Sequence, residues 1–192
     1  CDRPNPIGGA LAEGNSVHPD LRSFVGHFDV PQRHGLTLGE LCQMQLGGLA
    51  TLVPMSGWRR SMWFDETGLP WIPPSPNMPT LGTAAIYPGM CLLEGTNLSE
   101  GRGTTTPFEV FGAPFVDPFV LVRELRALEL PGVEFRPHVF EPMFQKHAGT
   151  ACGGAQIVVR DRERLRSVEL GVAILCVVRR LWPEAFEWRR DA

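Results

Sequence analysis

Between positions 94 and 106 the chain reads EGTNLSEGRGTTT: two carboxylates, one guanidinium, one amide, five hydroxyls and three glycines around a single apolar residue, Leu98. Apolar segments bracket it, MCLL before and PFEVFGAPFV after. Glycines on either side of Arg102 leave its guanidinium unobstructed and allow a ligand to approach the backbone closely. Glu94, Glu100 and Arg102 can accept and donate hydrogen bonds as charged groups. Asn97 adds a neutral amide that can do both. Two readings follow: a loop held by its own hydrogen bonds, or a binding cleft walled by the apolar segments. Asn97-Leu98-Ser99 also matches a glycosylation acceptor triplet, a pattern that arises often by chance.

Three further clusters carry polar groups on stiff backbone. In Asp2-Arg3-Pro4-Asn5-Pro6, two prolines fix the chain around Asn5 and aim its amide, which describes a rigid turn or a ligand contact. Ser75-Pro76-Asn77 repeats that logic. Arg33-His34-Gly35 precedes a capped helix, where His34 can orient an anion or simply pack. Amides, carboxylates and an arginine beside tryptophans suit a sugar, whose hydroxyls need donors and acceptors while its C–H faces pack on rings. No Ser-His-Asp arrangement, phosphate loop or metal-ligand spacing competes with that reading, and no cofactor is expected.

The elements that position these groups are short, because 18 prolines and 21 glycines interrupt 192 residues. TLGELCQMQLGGL (37–49) predicts a helix: Thr37 and Glu40 have capping-box spacing, and Leu38, Leu41, Cys42 and Leu49 recur at helical period. ATLVPM predicts a short strand. The stretch 58–79, with three tryptophans and five prolines, cannot be helical and marks a passage between structural units. TLGTAAIY predicts two helical turns stopped by Pro88, and MCLLEG a strand or short helix. DPFVLVRELRAL (117–128) predicts a helix with Asp117 as N-cap, Pro118 at its first position, and Leu121, Val122, Leu125 and Leu128 on one face. GVEFRPHVF and GGAQIVVR predict strands. A last helix is expected from about Ser167 to Trp182, with Val168, Val172, Leu175, Val178 and Leu181 or Trp182 inward. The fold class is therefore α/β, with a mixed α+β body.

Composition sets outer limits. A net charge of −3 with no run of like charges argues against nucleic-acid or anionic-membrane surfaces. LGVAILCVV (170–178) is short of the roughly 20 residues that cross a bilayer, and predicts a buried helix. Five widely spaced cysteines give neither a disulfide framework nor a zinc site. Cys42, Cys91 and Cys176 lie in apolar contexts and are expected in the core. An opening cysteine fits either a lipidated mature end or a piece of a longer protein, and the second is favoured below.

DRPNPIGG, SFVGHFDVPQRHGLTLGEL, WIPPSPNMPT, YPGMCLLEGTNLSEGRGTTTPFEVFGAPFVD and KHAGTACGGAQI, in that order, resemble the bacterial exo-β-N-acetylmuramidases of the NamZ type. The resemblance implies a glycoside hydrolase that removes terminal N-acetylmuramic acid from the non-reducing ends of peptidoglycan fragments. It implies a Rossmann-like N-terminal domain, a smaller C-terminal domain, and a longer chain than this one. Residues 1–48 then read as the tail of the Rossmann-like domain, expected to be the least ordered part, and 49–192 as the C-terminal mixed α/β domain. The family's main catalytic glutamate is expected upstream of Cys1. Here Glu94 and Glu100 are candidates for one of the two carboxyl groups glycosidases use. Arg102, then Arg3, are candidates for the two-point recognition of the lactyl carboxylate. His34 is a candidate for positioning or proton transfer, and Asn5, Asn77 and Asn97 for sugar hydroxyls or the acetamido group. A peptidoglycan-derived sugar is the expected partner, and an extracytoplasmic location follows from that context. The alternative is a sugar-binding module without catalysis.

Overall fold

The computed structural model describes residues 1–189. Two compact units divide between Ile72 and Pro73, inside the tryptophan- and proline-rich passage. The sequence-derived boundary at 48/49 lies N-terminal to that division.

The first unit, Cys1–Ile72, is mostly turns around one helix, α1 (Leu38–Leu46). The predicted capping box is formed: Thr37 Oγ1 accepts from Glu40 N, and Glu40 Oε2 accepts from Thr37 N. Asp2 adds a second cap. Its carboxylate accepts from Gly39 N at 2.7 Å and from the Thr37 hydroxyl at 2.9 Å. Burial pushes its pKa up, but these hydrogen bonds, with one from Arg3 N, outweigh that and hold it below the usual value. Seating Asp2 on the helix start makes Gly39 the buried position of α1, so the expected Leu38–Cys42 face is not a core face. Leu38 and Leu49 are exposed, as is Cys42. ATLVPM is not a strand. Pro54 lacks an N–H and no neighbouring strand pairs with the segment.

The second unit carries a three-stranded antiparallel sheet and three helices, a mixed α/β composition. The strands are β1 (Val110–Ala113), β2 (Val133–Phe140) and β3 (Cys152–Val159), in the order β1-β3-β2. Phe111 pairs with Ala155 and Phe135 with Ile157, which places these four buried residues together on the sheet. The helices are α2 (Leu81–Met90), α3 (Pro118–Arg126) and α4 (Ser167–Leu181). Asp117 caps α3 as expected, accepting from Phe119 N and Val120 N, and Leu121, Val122 and Leu125 face β2 and β3.

Three expectations need correction. Pro88 does not stop α2, because its locked φ is helical and its buried ring stays within the last turn. The buried face of α4 is Leu170, Gly171, Ile174, Val177 and Val178, so Val172 points outward. The cause is the crossing with α2: a Cβ on Gly89 would overlap the Ser167 carbonyl, and one on Gly171 the Gly89 carbonyl. That contact sets the rotation of α4 and leaves Cys176 exposed. Cys91 is half-buried, and the buried cysteine is Cys152, whose thiol pKa burial raises to about 11.

Candidate functional site

The chain leaves α2 through a 3-10 turn, Cys91–Gly95, which presents Glu94. Thr96 ends that turn, its hydroxyl donating to Leu93 O and accepting from Leu98 N. Ser99 then bridges to Gly112 of β1 through paired backbone hydrogen bonds of 2.8 and 3.0 Å. The polar stretch is thus stitched onto the sheet rather than projecting into water. Leu98 is 0% exposed and Glu100 only 3%, which makes Glu100 a buried carboxylate that needs compensation.

Two cations supply it. Lys146 Nζ lies 3.0 Å from Glu100 Oε2 and donates to the carbonyls of Leu93 and Leu98, 2.8 Å each. All three ammonium hydrogens are therefore accounted for. Arg102 Nε is 3.3 Å from Glu100 Oε1, while its Nε and Nη2 both reach Glu94 Oε1. Its guanidinium carbon stands 5.0 Å over the Phe108 ring. The four charges sum to zero. Burial lowers the Lys146 pKa, and the Glu100 charge pulls the other way.

Backbone strain concentrates around this cluster. Gln145 (φ 69°) and His147 (φ 58°), on either side of Lys146, are left-handed. So is Phe108 (φ 64°), whose N–H donates to the Glu100 carbonyl at 2.6 Å. Such conformations cost about 1–3 kcal/mol each in non-glycine residues and collect at functional sites. His147 Nε2 is 2.7 Å from Asn97 O. Lys146 and His147 were not singled out by spacing. The available signal was that Lys146 is the chain's one lysine. A compact ammonium with three divergent donors meets three acceptors where an arginine fork cannot.

The other predicted residues are placed as follows. Asn97 spends both ends of its amide on the C-terminal segment: Nδ2 donates to Ala185 O, and Oδ1 accepts from Glu187 N. Asn77 keeps a half-buried amide that makes no hydrogen bond among the described residues. In the first unit, Asn5 bonds Leu36 O and Ile7 N. His34 Nδ1 accepts from Leu36 N, and burial lowers its pKa, which keeps the ring neutral near pH 7. Arg3 donates to its neighbour's carbonyl and, with Trp58, lines a hollow of about 460 Å³ in that unit. Glu94, Glu100 and Arg102 are therefore the predicted residues that the fold brings into one cluster. Among the described residues no group of three or more His, Cys, Asp or Glu is arranged to hold a metal ion. No helix among them is long and apolar enough to cross a membrane.

The loop continues past Arg102 into a second hollow. Met143 N donates to Gly103 O at 2.9 Å, bringing residues 103–106 against 141–144. Gly103 has φ 84°, and a Cβ there would lie 2.6 Å from Phe144 O, so only glycine permits this approach. The space between, about 460 Å³, is floored by His138 and Phe140.

Sequence models built for exo-β-N-acetylmuramidase NamZ match the whole length, the N-terminal model over residues 1–82 and the C-terminal model over 85–192. This chain belongs to the NamZ family. The peptidoglycan β-N-acetylmuramidase NamZ of Bacillus subtilis (strain 168) is 46% identical to it over 192 aligned residues, covering 97% of this chain and 46% of that protein. A crystal structure of a DUF1343 family protein from Bacteroides fragilis superimposes with a TM-score of 0.86 at 37% identity, over 95% of this chain and 50% of that one. A second DUF1343 structure from the same organism gives 0.65 at 30% identity, over 85% and 44%. The chain thus spans about half the length of the curated NamZ relative it matches.

Proposed function

We propose that these residues form the sugar-gripping part of an exo-β-N-acetylmuramidase, a glycoside hydrolase that removes terminal N-acetylmuramic acid from peptidoglycan fragments. The observation that carries this reading is the EGTNLSEGRGTTT loop, folded inward as a neutral four-charge cluster in a chain that matches the NamZ models over both domains. Arg102 keeps Nη1 without a hydrogen bond among the described residues, a donor available to the lactyl carboxylate that distinguishes muramic acid. Of the two carboxylates, Glu94 is the one able to meet a substrate, its side chain being 39% exposed. Glu100, at 4%, anchors the loop. Both carboxylates are engaged by Arg102, which suits them to holding the loop in shape around a bound sugar. That engagement also favours the second reading, a peptidoglycan-sugar-binding module without catalysis. A cell-wall substrate supports the further reading that the protein works outside the cytoplasm.

The test is release of nitrophenol from a chromogenic β-N-acetylmuraminide. A protein spanning the length of the Bacillus relative is expected to cleave it, and the 192-residue chain to cleave little or none. Arg102→Ala in the longer protein should reduce muraminide turnover about tenfold or more, the scale of one lost charged hydrogen bond. The corresponding glucosaminide, which lacks the lactyl group, should be affected less. Hydrolysis of the glucosaminide with none of the muraminide would overturn the substrate assignment, and equal losses in Arg102→Ala would remove its lactyl role.

A further inference from the structure

The hollow between residues 103–106 and 138–144 has a lining that differs in kind from the charge cluster beside it in sequence. Thr104 is committed: its hydroxyl donates to Gly101 O and accepts from Thr106 N. The hydroxyls of Thr105 and Thr106, the His138 ring nitrogens and the Glu141 carboxylate make no hydrogen bond or ion pair among the described residues. Met143 and Phe144 are 80% and 52% exposed, while the His138 and Phe140 rings stack with an interplanar angle of 14°. Several uncommitted polar groups thus converge beside apolar surfaces, on walls fixed by the Gly103–Met143 hydrogen bond. A volume of about 460 Å³ is enough for one pyranose ring with substituents.

Charge decides which ring. No arginine or lysine lines the hollow, whereas the carboxylate of Glu141 does. A sugar bearing its own carboxylate would be repelled there and find no fork to receive it. A neutral N-acetylhexosamine meets every lining group favourably: hydroxyls and imidazole for its ring hydroxyls and amide, Glu141 as acceptor, and Phe144 or Met143 for its C–H face. We infer that this hollow is a subsite for the neutral N-acetylated sugar adjoining muramic acid in the substrate. The inference rests on the reading that the protein acts on peptidoglycan sugars.

The experiment is a titration of the ¹⁵N-labelled 192-residue chain with N-acetylglucosamine and, separately, with N-acetylmuramic acid, followed by amide chemical shifts. N-acetylglucosamine is expected to move the amides of residues 103–106 and 143–144 saturably, and N-acetylmuramic acid to do so at least about tenfold more weakly. Thr105→Val and Phe144→Ala should each weaken the response about tenfold, the scale of one hydrogen bond or ring contact. Their dispersed spectra serve as the check that each variant is folded. Equal or tighter binding of the acidic sugar at these amides overturns the proposal, as does silence at these amides in the folded protein. The two readings fail separately. Sugar binding here without muraminide cleavage by the longer protein keeps the subsite and sinks the activity. Cleavage with no response in the hollow does the reverse.

Discussion

At the scale of single residues, Lys146 decides whether the polar loop can exist. A carboxylate as buried as Glu100 is tolerable only when its charge and lone pairs are met, and Lys146 meets one oxygen while tying down two carbonyls of the same loop. Lys146→Met is expected to lower stability by about 3 kcal/mol in urea unfolding, because it leaves a buried charge with Arg102 alone and two carbonyls without their donor. Adding Glu100→Leu should recover part of that loss, since it removes the buried charge while the Leu98 carbonyl stays without its lysine donor. A single variant within about 0.5 kcal/mol of the parent, the range of ordinary surface changes, would show that the pair does not hold the loop. The sign of the pH effect follows from the lowered pKa. In the interval just below the ordinary lysine value of 10.5, the unfolded chain binds more protons than the folded one. Stability therefore rises with pH across that interval, and Lys146→Met should abolish the rise. The residue types of this site were readable in EGTNLSEGRG, but not its closure. The partner that neutralises Glu100 lies 46 residues away and no local pattern announces it.

At the scale of elements, what depends on neighbours in sequence was legible and what depends on neighbours in space was not. The caps at Thr37 and Asp117 are formed by groups two or three residues apart, so spacing alone foretold them. Strands β2 and β3 announced themselves by their β-branched and aromatic runs, while the four-residue β1 was hidden in an apolar stretch. The inward face of α4 was misread because periodicity permits several rotations, and the close crossing of Gly89 with Gly171 selects one of them. The same crossing yields a sharp expectation. Gly171→Ala should cost about 3 kcal/mol or more, since the added methyl meets backbone that cannot rotate away. Val172→Ala, one residue along on the exposed side, should stay within about 0.5 kcal/mol. Comparable thermal midpoints for the two variants would refute the crossing as the determinant of α4 orientation.

At the scale of the whole molecule, the two units owe their order to different things. The second has a central strand bonded on both edges and helices that bury Leu170 and Ile174 completely or nearly so. In the first, a clasp holds the early segment: Glu13 and Arg33 exchange backbone hydrogen bonds of 2.9 Å and pair their side chains at 2.6 Å. Between them, Leu21, Arg22, Ser23 and Gly26 donate backbone hydrogen bonds to residues three apart, His27 meets Gln45 at 3.4 Å, and Phe24 and Val25 are 100% and 93% exposed. Protection against hydrogen exchange follows the opening free energy of the unit that carries each amide. The amides of Glu13 and Arg33 should therefore exchange slowly while those of Phe24 and Val25 exchange almost freely. Amides of β3 and the buried side of α4 should open only with the unit as a whole. Mass-spectrometric or NMR exchange at neutral pH reads all three classes in one experiment. Protection at Phe24 and Val25 equal to that of β3 would mean that the segment is held by more than the Glu13–Arg33 clasp, the His27–Gln45 contact and its own turns.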